Sequence, residues 1–152
     1  MDRTVGYELV AWTPHFLAQL WSELWPRGET ELGWLGYTMS EGFMLFMQHL
    51  RNAEVSGILL RGDKPVFVGG IVREKNESFT FMQATKDFDS HARPIMRVLR
   101  EKVRTYPPGP LHVYSVCVHP GTERFFRAIG FEREDWKQML PTGHPLYRFK
   151  RR

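Results

Sequence analysis

The chain has 152 residues, 42% hydrophobic and 25% charged, which suits one globular domain spanning 1–152 with its own core. No apolar run approaches the roughly twenty residues of a membrane helix, and the start, Met1-Asp2-Arg3-Thr4, lacks the apolar core of a secretory signal. The lone cysteine, Cys117, excludes an internal disulfide and suits a reducing, cytoplasmic compartment, and the net charge of +4 is partly gathered in Arg148, Lys150, Arg151 and Arg152.

Val5 to Trp12 reads as a first short strand. Thr13 then offers an N-cap hydroxyl ahead of Pro14, whose fixed φ suits the first helical position. Phe16, Leu17, Leu20, Trp21, Leu24 and Trp25 recur at three- and four-residue steps, so an amphipathic helix is expected up to Pro26. Arg27 to Thr38 is Gly-rich and reads as a loop, with Trp34 and Tyr37 folded back over the body. Ser40 is the expected cap of a second helix, in which Phe43, Met44, Met47 and Leu50 share a face. Strands follow at Ser56 to Leu60, Pro65 to Arg73 and Ser78 to Thr85, joined by tight turns. The Arg61-Gly62-Asp63 triplet reads as hairpin-turn chemistry and not as an adhesion motif.

A third helix is expected from His91 to Thr105, with Ile95, Val98, Leu99 and Val103 on one face. Asp89 or Ser90 can cap it, and Pro94 is tolerable only within its first turn. Tyr106-Pro107-Pro108-Gly109-Pro110 breaks the chain before a strand from Leu111 to Val118. A helix begins at Pro120 and closes at Gly130, where a left-handed C-terminal residue is needed. Phe131 to Gln138 and Leu146 to Lys150 make a closing pair of strands. The fold class is therefore α/β (α+β), with about seven mostly antiparallel strands and about four helices.

This order, and the run from His119-Pro120 through Phe126 to Gly130-Phe131, resembles the GCN5-related N-acetyltransferase (GNAT) fold. Val66 to Val72 resembles that family's central hairpin strand. The family writes the closing helix as Asn, two residues, Ala, three residues, Tyr, three residues, Gly-Phe; here His119, Thr122 and Phe126 take the three leading places. The resemblance implies acetyl-CoA as cofactor, with its pyrophosphate on backbone N–H groups at the start of the third helix. The physical basis is a helix dipole and glycines that let the backbone approach an anion. The matching stretch, Ala84 to Arg93, contains no glycine and brings Asp87 and Asp89 beside the expected phosphates. Lys86, Ser90 and Arg93 are the residues left to bind it.

The chemical groups depart from the family as well. Phe126 has no hydroxyl with which to protonate a departing thiolate, and Tyr114 stands on the preceding strand, away from the matching position. His119 is either a base or a helix cap. Glu74, Glu77 and Glu123 are candidate bases whose default reading is solvated surface charge. Strand alternation puts Cys117 and His119 on one side and His112 on the other. Two ligands make no zinc site, so no metal is expected. Cys117 reads as core packing.

A second resemblance is to small acetyltransferase-like internal virion or assembly proteins of short-tailed phages. It rests on Val66–Ile71, Phe79–Gln83 and the helix entering Gly130-Phe131. Together these features lead to a catalytically silent GNAT-fold protein in phage assembly or genome delivery, cytoplasmic in a host cell or virion-associated. It would work through protein contacts, self-association included, with Trp34 and Tyr37 as the interaction surface and no cofactor expected. The alternative is an active acetyl-CoA-dependent N-acetyltransferase with a non-standard cofactor loop. In that case His119 and Glu123 are the catalytic candidates, and Lys86, Ser90 and Arg93 bind the cofactor. A third reading, a nucleic-acid-binding module, rests on net charge and the basic C-terminus.

Overall fold

A computed structural model of the chain describes residues 6–116 and 120–152. In chain order the elements are β1 (Tyr7–Val10), α1 (Pro14–Ser22), α2 (Pro26–Leu35), α3 (Met39–Asn52), β2 (Val55–Arg61), β3 (Lys64–Glu74) and β4 (Glu77–Ala84). They continue as α4 (Phe88–Thr105), β5 (Leu111–Ser115), α5 (Pro120–Ala128), β6 (Phe131–Met139) and β7 (Pro145–Arg151). The strands form one seven-stranded sheet in the order β1-β2-β3-β4-β5-β7-β6, antiparallel except where β4 meets β5. The mixed fold class and the strand count match the expectation; the described residues hold five helices where about four were expected.

Two cores flank the sheet. α4 and α5 bury Ile95, Leu99, Val103, Phe126 and Ile129 on one face, and α1 and α3 bury Leu17, Leu20, Phe46 and Leu50 on the other. Strand alternation feeds both, which is why β3 is buried almost throughout.

Four local expectations are corrected. Residues 27–38 are not a loop: Pro26 starts α2, and Gly36 closes it at φ +94°, a left-handed cap. α3 is capped by Thr38 and not Ser40, in a capping box closed by Glu41. Its buried face is Gly42, Phe46, Met47 and Leu50, leaving Met44 60% exposed. α4 begins at Phe88, so Pro94 lies in its second turn, buried. Val5, Cys117, Val118 and His119 lie outside the described residues, so the two-residue alternation of Cys117 and His119 falls there too.

The basic C-terminus is structural. The Arg151 guanidinium donates to the carbonyls of Val103, Tyr106, Pro107 and Gly109 at 2.8–3.1 Å, which closes the end of α4 and the turn after it. Arg148 is held by Glu134, and Lys150 lies 3.9 Å from Glu132. Three of the four cations of this tail are thus tied to neighbouring groups of the fold.

Candidate active site

The parallel ladder between β4 and β5 is short, running only through Ser78↔Leu111, Phe79↔His112 and Thr80↔Val113. Beyond Thr80 the strands diverge, each leading at the same end into a helix, α4 or α5. A crevice at the carboxyl ends of parallel strands, with helix N-termini beside it, is where open α/β sheets bind ligands. Further along, β4 acquires a new neighbour. Leu24 bridges Thr85, the Trp25 N–H donates to the Ala84 carbonyl at 2.9 Å, and the Lys86 N–H donates to the Glu23 carbonyl at 2.8 Å. Because Thr85 bonds back to Val66 on β3, the alternation turns Ala84, Met82 and Thr80 towards the β5 side. The backbone N–H and C=O of Met82 thus face the opening between the ladder at Thr80 and the bridge at Ala84. A ligand arm that carries amides can pair there as an added strand does.

On the α1–α3 face of the sheet, alongside this short ladder and reaching back to Glu77 at its closed end, five ionisable side chains converge. The Tyr114 hydroxyl donates to Glu77 Oε1 at 3.0 Å. His112, 8% exposed, has Nδ1 2.9 Å from Glu77 Oε2 and Nε2 3.4 Å from Glu134 Oε2. The Nδ1 approach is too far off axis to count as a directed hydrogen bond, so the contact is electrostatic. Arg148 Nε donates to Glu134 Oε2 at 2.6 Å, and its guanidinium lies 5.0 Å from the Trp136 ring centre. Burial, followed by the bond to Glu77, pushes the Tyr114 hydroxyl above its ordinary value, so it holds its proton across the neutral range. The bond from Glu134 raises Arg148 further and keeps it cationic.

α2 crosses this region. At its start Arg27 Nη1 is 3.4 Å from Thr122 Oγ1 on α5, and near its end the Trp34 ring stacks on His144, 4.9 Å away in the β6–β7 turn. The Thr142 hydroxyl of that turn also donates to the Trp34 carbonyl. Trp34 is thus half-buried on a helix, and Tyr37, 38% exposed, follows the Gly36 cap.

The start of α4, where the resemblance puts a cofactor loop, turns without glycine. None of residues 84–93, all of them described, has a positive φ; Asp87 makes the turn at φ −94° and ψ 27°. No side chain caps the helix, and two of its first-turn N–H groups, those of Phe88 and Ser90, donate to the Thr85 and Asp87 carbonyls at 3.1 and 3.0 Å. Beside it, Lys64 lies 3.2 Å from Glu23 and 3.8 Å from Asp87, and Lys86 lies 3.3 Å from Glu23. These lysines offset the carboxylates, and their hydrogen bonds hold Glu23 below its usual range, Lys64 contributing most. A helix N-terminus with two adjacent lysines suits a diphosphate electrostatically.

Of the sequence candidates, Lys86 and Ser90 stand at this helix start, and Arg93 lies one turn on, exposed. Glu123 is half-buried in the first turn of α5, apart from the Tyr114 network. His119 is outside the described residues. Glu77 is no solvated turn charge, since it anchors both Tyr114 and His112. Glu134 and Arg148 were missed, although polar residues at two-residue steps on strands, His112 with Tyr114 and Glu132 with Glu134, were the available signal. Among the described residues no group of three or more His, Cys, Asp or Glu side chains is placed to hold a metal ion. No helix there is long and apolar enough to cross a membrane.

No protein-family model matches the chain, and no curated protein sequence matches it. Solved structures do. Spermidine N-acetyltransferase from Vibrio cholerae, in complex with CoA and spermine, superposes with a TM-score of 0.66 at 14% identity, covering 96% of this chain and 95% of that one. Aminoglycoside acetyltransferase AAC(6')-Ib in complex with coenzyme A gives a TM-score of 0.64 at 16% identity, with 96% and 95% covered. The same enzyme with paromomycin and acetyl-CoA gives 0.61 at 16% identity. This chain has the GNAT fold.

Those likenesses correct two expectations. The silent-scaffold reading and the expectation of no cofactor both rested on the missing glycine loop and the missing Tyr at 126. The solved structures compared above are of acetyltransferases, each in complex with CoA or acetyl-CoA. The loop turns without glycine, so the missing glycines do not argue against a cofactor. Nothing in these likenesses supports the phage resemblance, and the assembly role with its virion partners is withdrawn.

Proposed function

We propose that the protein is an acetyl-CoA-dependent N-acetyltransferase with a non-standard cofactor loop, acting on a primary amine. The observation that carries this reading is the Tyr114–Glu77–His112 network on the α1–α3 face of the β4–β5 ladder. A group perturbed by burial and by a specific charged partner is a candidate functional group. Acetyl-CoA, when bound, supplies an acetyl group activated as a thioester. The α4 N-terminus with Lys64 and Lys86 holds its phosphates, and the Met82 backbone aligns its amide-bearing arm.

The remaining chemistry is proton management. An amine must shed a proton to attack, and a departing thiolate must gain one. Glu77, with His112 beside it, accepts the first, and Tyr114 Oη, kept protonated by burial, donates the second. Glu134 and Arg148 position His112 and Tyr114. The acceptor approaches over the α1–α3 face, beneath α2.

Calorimetric titration with acetyl-CoA, together with release of free CoA thiol in the presence of a panel of amines, tests the reading. Micromolar binding is expected, weakened by the double substitution Lys64→Ala and Lys86→Ala. No saturable binding at millimolar acetyl-CoA by folded protein would overturn it.

A further inference from the structure

We infer that the outer face of α4 and α5 docks the sugar–phosphate backbone of a nucleic acid. Arg93, Arg97, Arg100 and Arg104 are all exposed and fall at steps of four, three and four residues along α4. At 3.6 residues per turn they lie within about 40° of one line, over a rise of roughly 16 Å. Arg100 Nε donates to the Ala128 carbonyl at 2.9 Å, so the stripe runs on to the end of α5, where Arg124 and Arg127 are exposed. Arg152 joins them there, its Nη2 2.8 Å from the Arg127 carbonyl.

The carboxylates on this surface are Asp89, Glu101 and the half-buried Glu123, and Glu101 is bound to Arg104 at 2.8 and 2.9 Å. Seven guanidiniums against three carboxylates leave a surplus as large as the +4 of the whole chain. A basic stripe along one helix, on a chain with pI about 9.4, is the electrostatic footprint of nucleic-acid binding.

The composition of the face selects the partner. All seven cations are arginines, whose planar forks match phosphate oxygens bidentately. An acidic protein partner needs apolar or aromatic anchors at its centre, and a membrane surface needs an apolar wedge. The large hydrophobic side chains exposed among the described residues are Leu9, Tyr37, Met44 and Met139, none of them on α4 or α5. With no aromatic platform to stack a base, the contact is to the backbone and independent of sequence.

Fluorescence anisotropy with a labelled 20-base-pair duplex of arbitrary sequence, across a series of KCl concentrations, tests this. Five or six phosphate contacts give a slope of log K against log salt of about −4.5 to −5.5. Replacing Arg97, Arg104 and Arg127 together by Gln should flatten the slope by about 2 to 3, whereas Lys in all three places should keep most of the binding. The double change Lys75→Gln and Lys137→Gln, elsewhere on the surface, should leave the slope unaltered. An unchanged slope in the folded Gln variant overturns the inference, as does equal binding of poly-glutamate. Displacement of the duplex by equimolar acetyl-CoA also overturns it, by assigning the arginines to the cofactor. The outcome does not depend on acetyl transfer, so it can fail while the enzymatic reading stands.

Discussion

Two aromatic positions carry the weight at the scale of single residues. Tyr114→Phe removes one oxygen that donates to Glu77 and leaves the ring, which packs 5.5 Å from Trp136, in place. Loss of a proton donor costs about 10²- to 10⁴-fold in rate, so kcat should fall by that factor while the affinity for acetyl-CoA is kept. A loss in KM alone would make Tyr114 a binding residue. Phe126 is 7% exposed and its ring lies 4.9 Å from Phe149, deep in the α4–α5 core. Phe126→Ala should therefore cost about 3–5 kcal/mol in chemical denaturation. Phe126→Tyr would bury a hydroxyl and should cost about 1–3 kcal/mol, without restoring transfer to the Tyr114→Phe enzyme. Restoration would return the proton donor to α5.

Among the elements, α2 shows how a single residue decides between helix and loop. Gly36 at φ +94° ends the helix so that Trp34 reaches His144 and Thr38 can cap α3. Alanine there forces a side chain into the left-handed region at about 1–2 kcal/mol, and Thr38→Ala removes the cap at about 1 kcal/mol. Both should appear as lowered midpoints in urea. Gly36→Ala should in addition raise the acceptor KM, because α2 spans the crevice; an unchanged KM would separate α2 from the acceptor site. The same scale explains why residues 27–38 misled as sequence. Gly28 and Gly33 suggest a loop, yet Gly28 is buried and a Cβ there would stand 2.4 Å from Gln83 Oε1. That contact is with the flexible end of the Gln83 side chain, and Gly28 forms no turn but lies inside α2.

For the molecule as a whole, the titrating groups set a pH window. Burial, the leading cause in each, depresses His49, whose ring meets Phe79 and Phe81, and His91, which bonds the Tyr7 hydroxyl at 2.6 Å. A depressed histidine contributes stability above its ordinary value of 6.5 and loses it as pH falls through the folded value. Tyr114 is raised, so its contribution is present below 10.0 and is lost as pH rises past the folded value. Tm should be level between these limits and decline on both sides, and His49→Gln should soften the acid limb. An acid limb identical in that variant would remove His49 from the account. Acetyl-CoA at 100 times its Kd should add about 2.7 kcal/mol across the window.

The seven strands, four of the five helices and the Gly130 turn were legible in the sequence because each follows from local periodicity and from one residue's backbone freedom. Apolar steps on α1 and α4, alternation on β2 to β4, and Thr13 before Pro14 all act within a few residues of themselves. What only the tertiary structure decided is which distant polar groups meet. Glu77, His112, Glu134 and Arg148 come from four strands, and β7 enters between β5 and β6, a pairing that no local pattern encodes. The glycine-free cofactor loop is of the same kind. Its charge comes from a helix N-terminus and from lysines at the start of β3 and just after β4, and residues so far apart in the chain acquire a common electrostatic task only when the sheet brings them together.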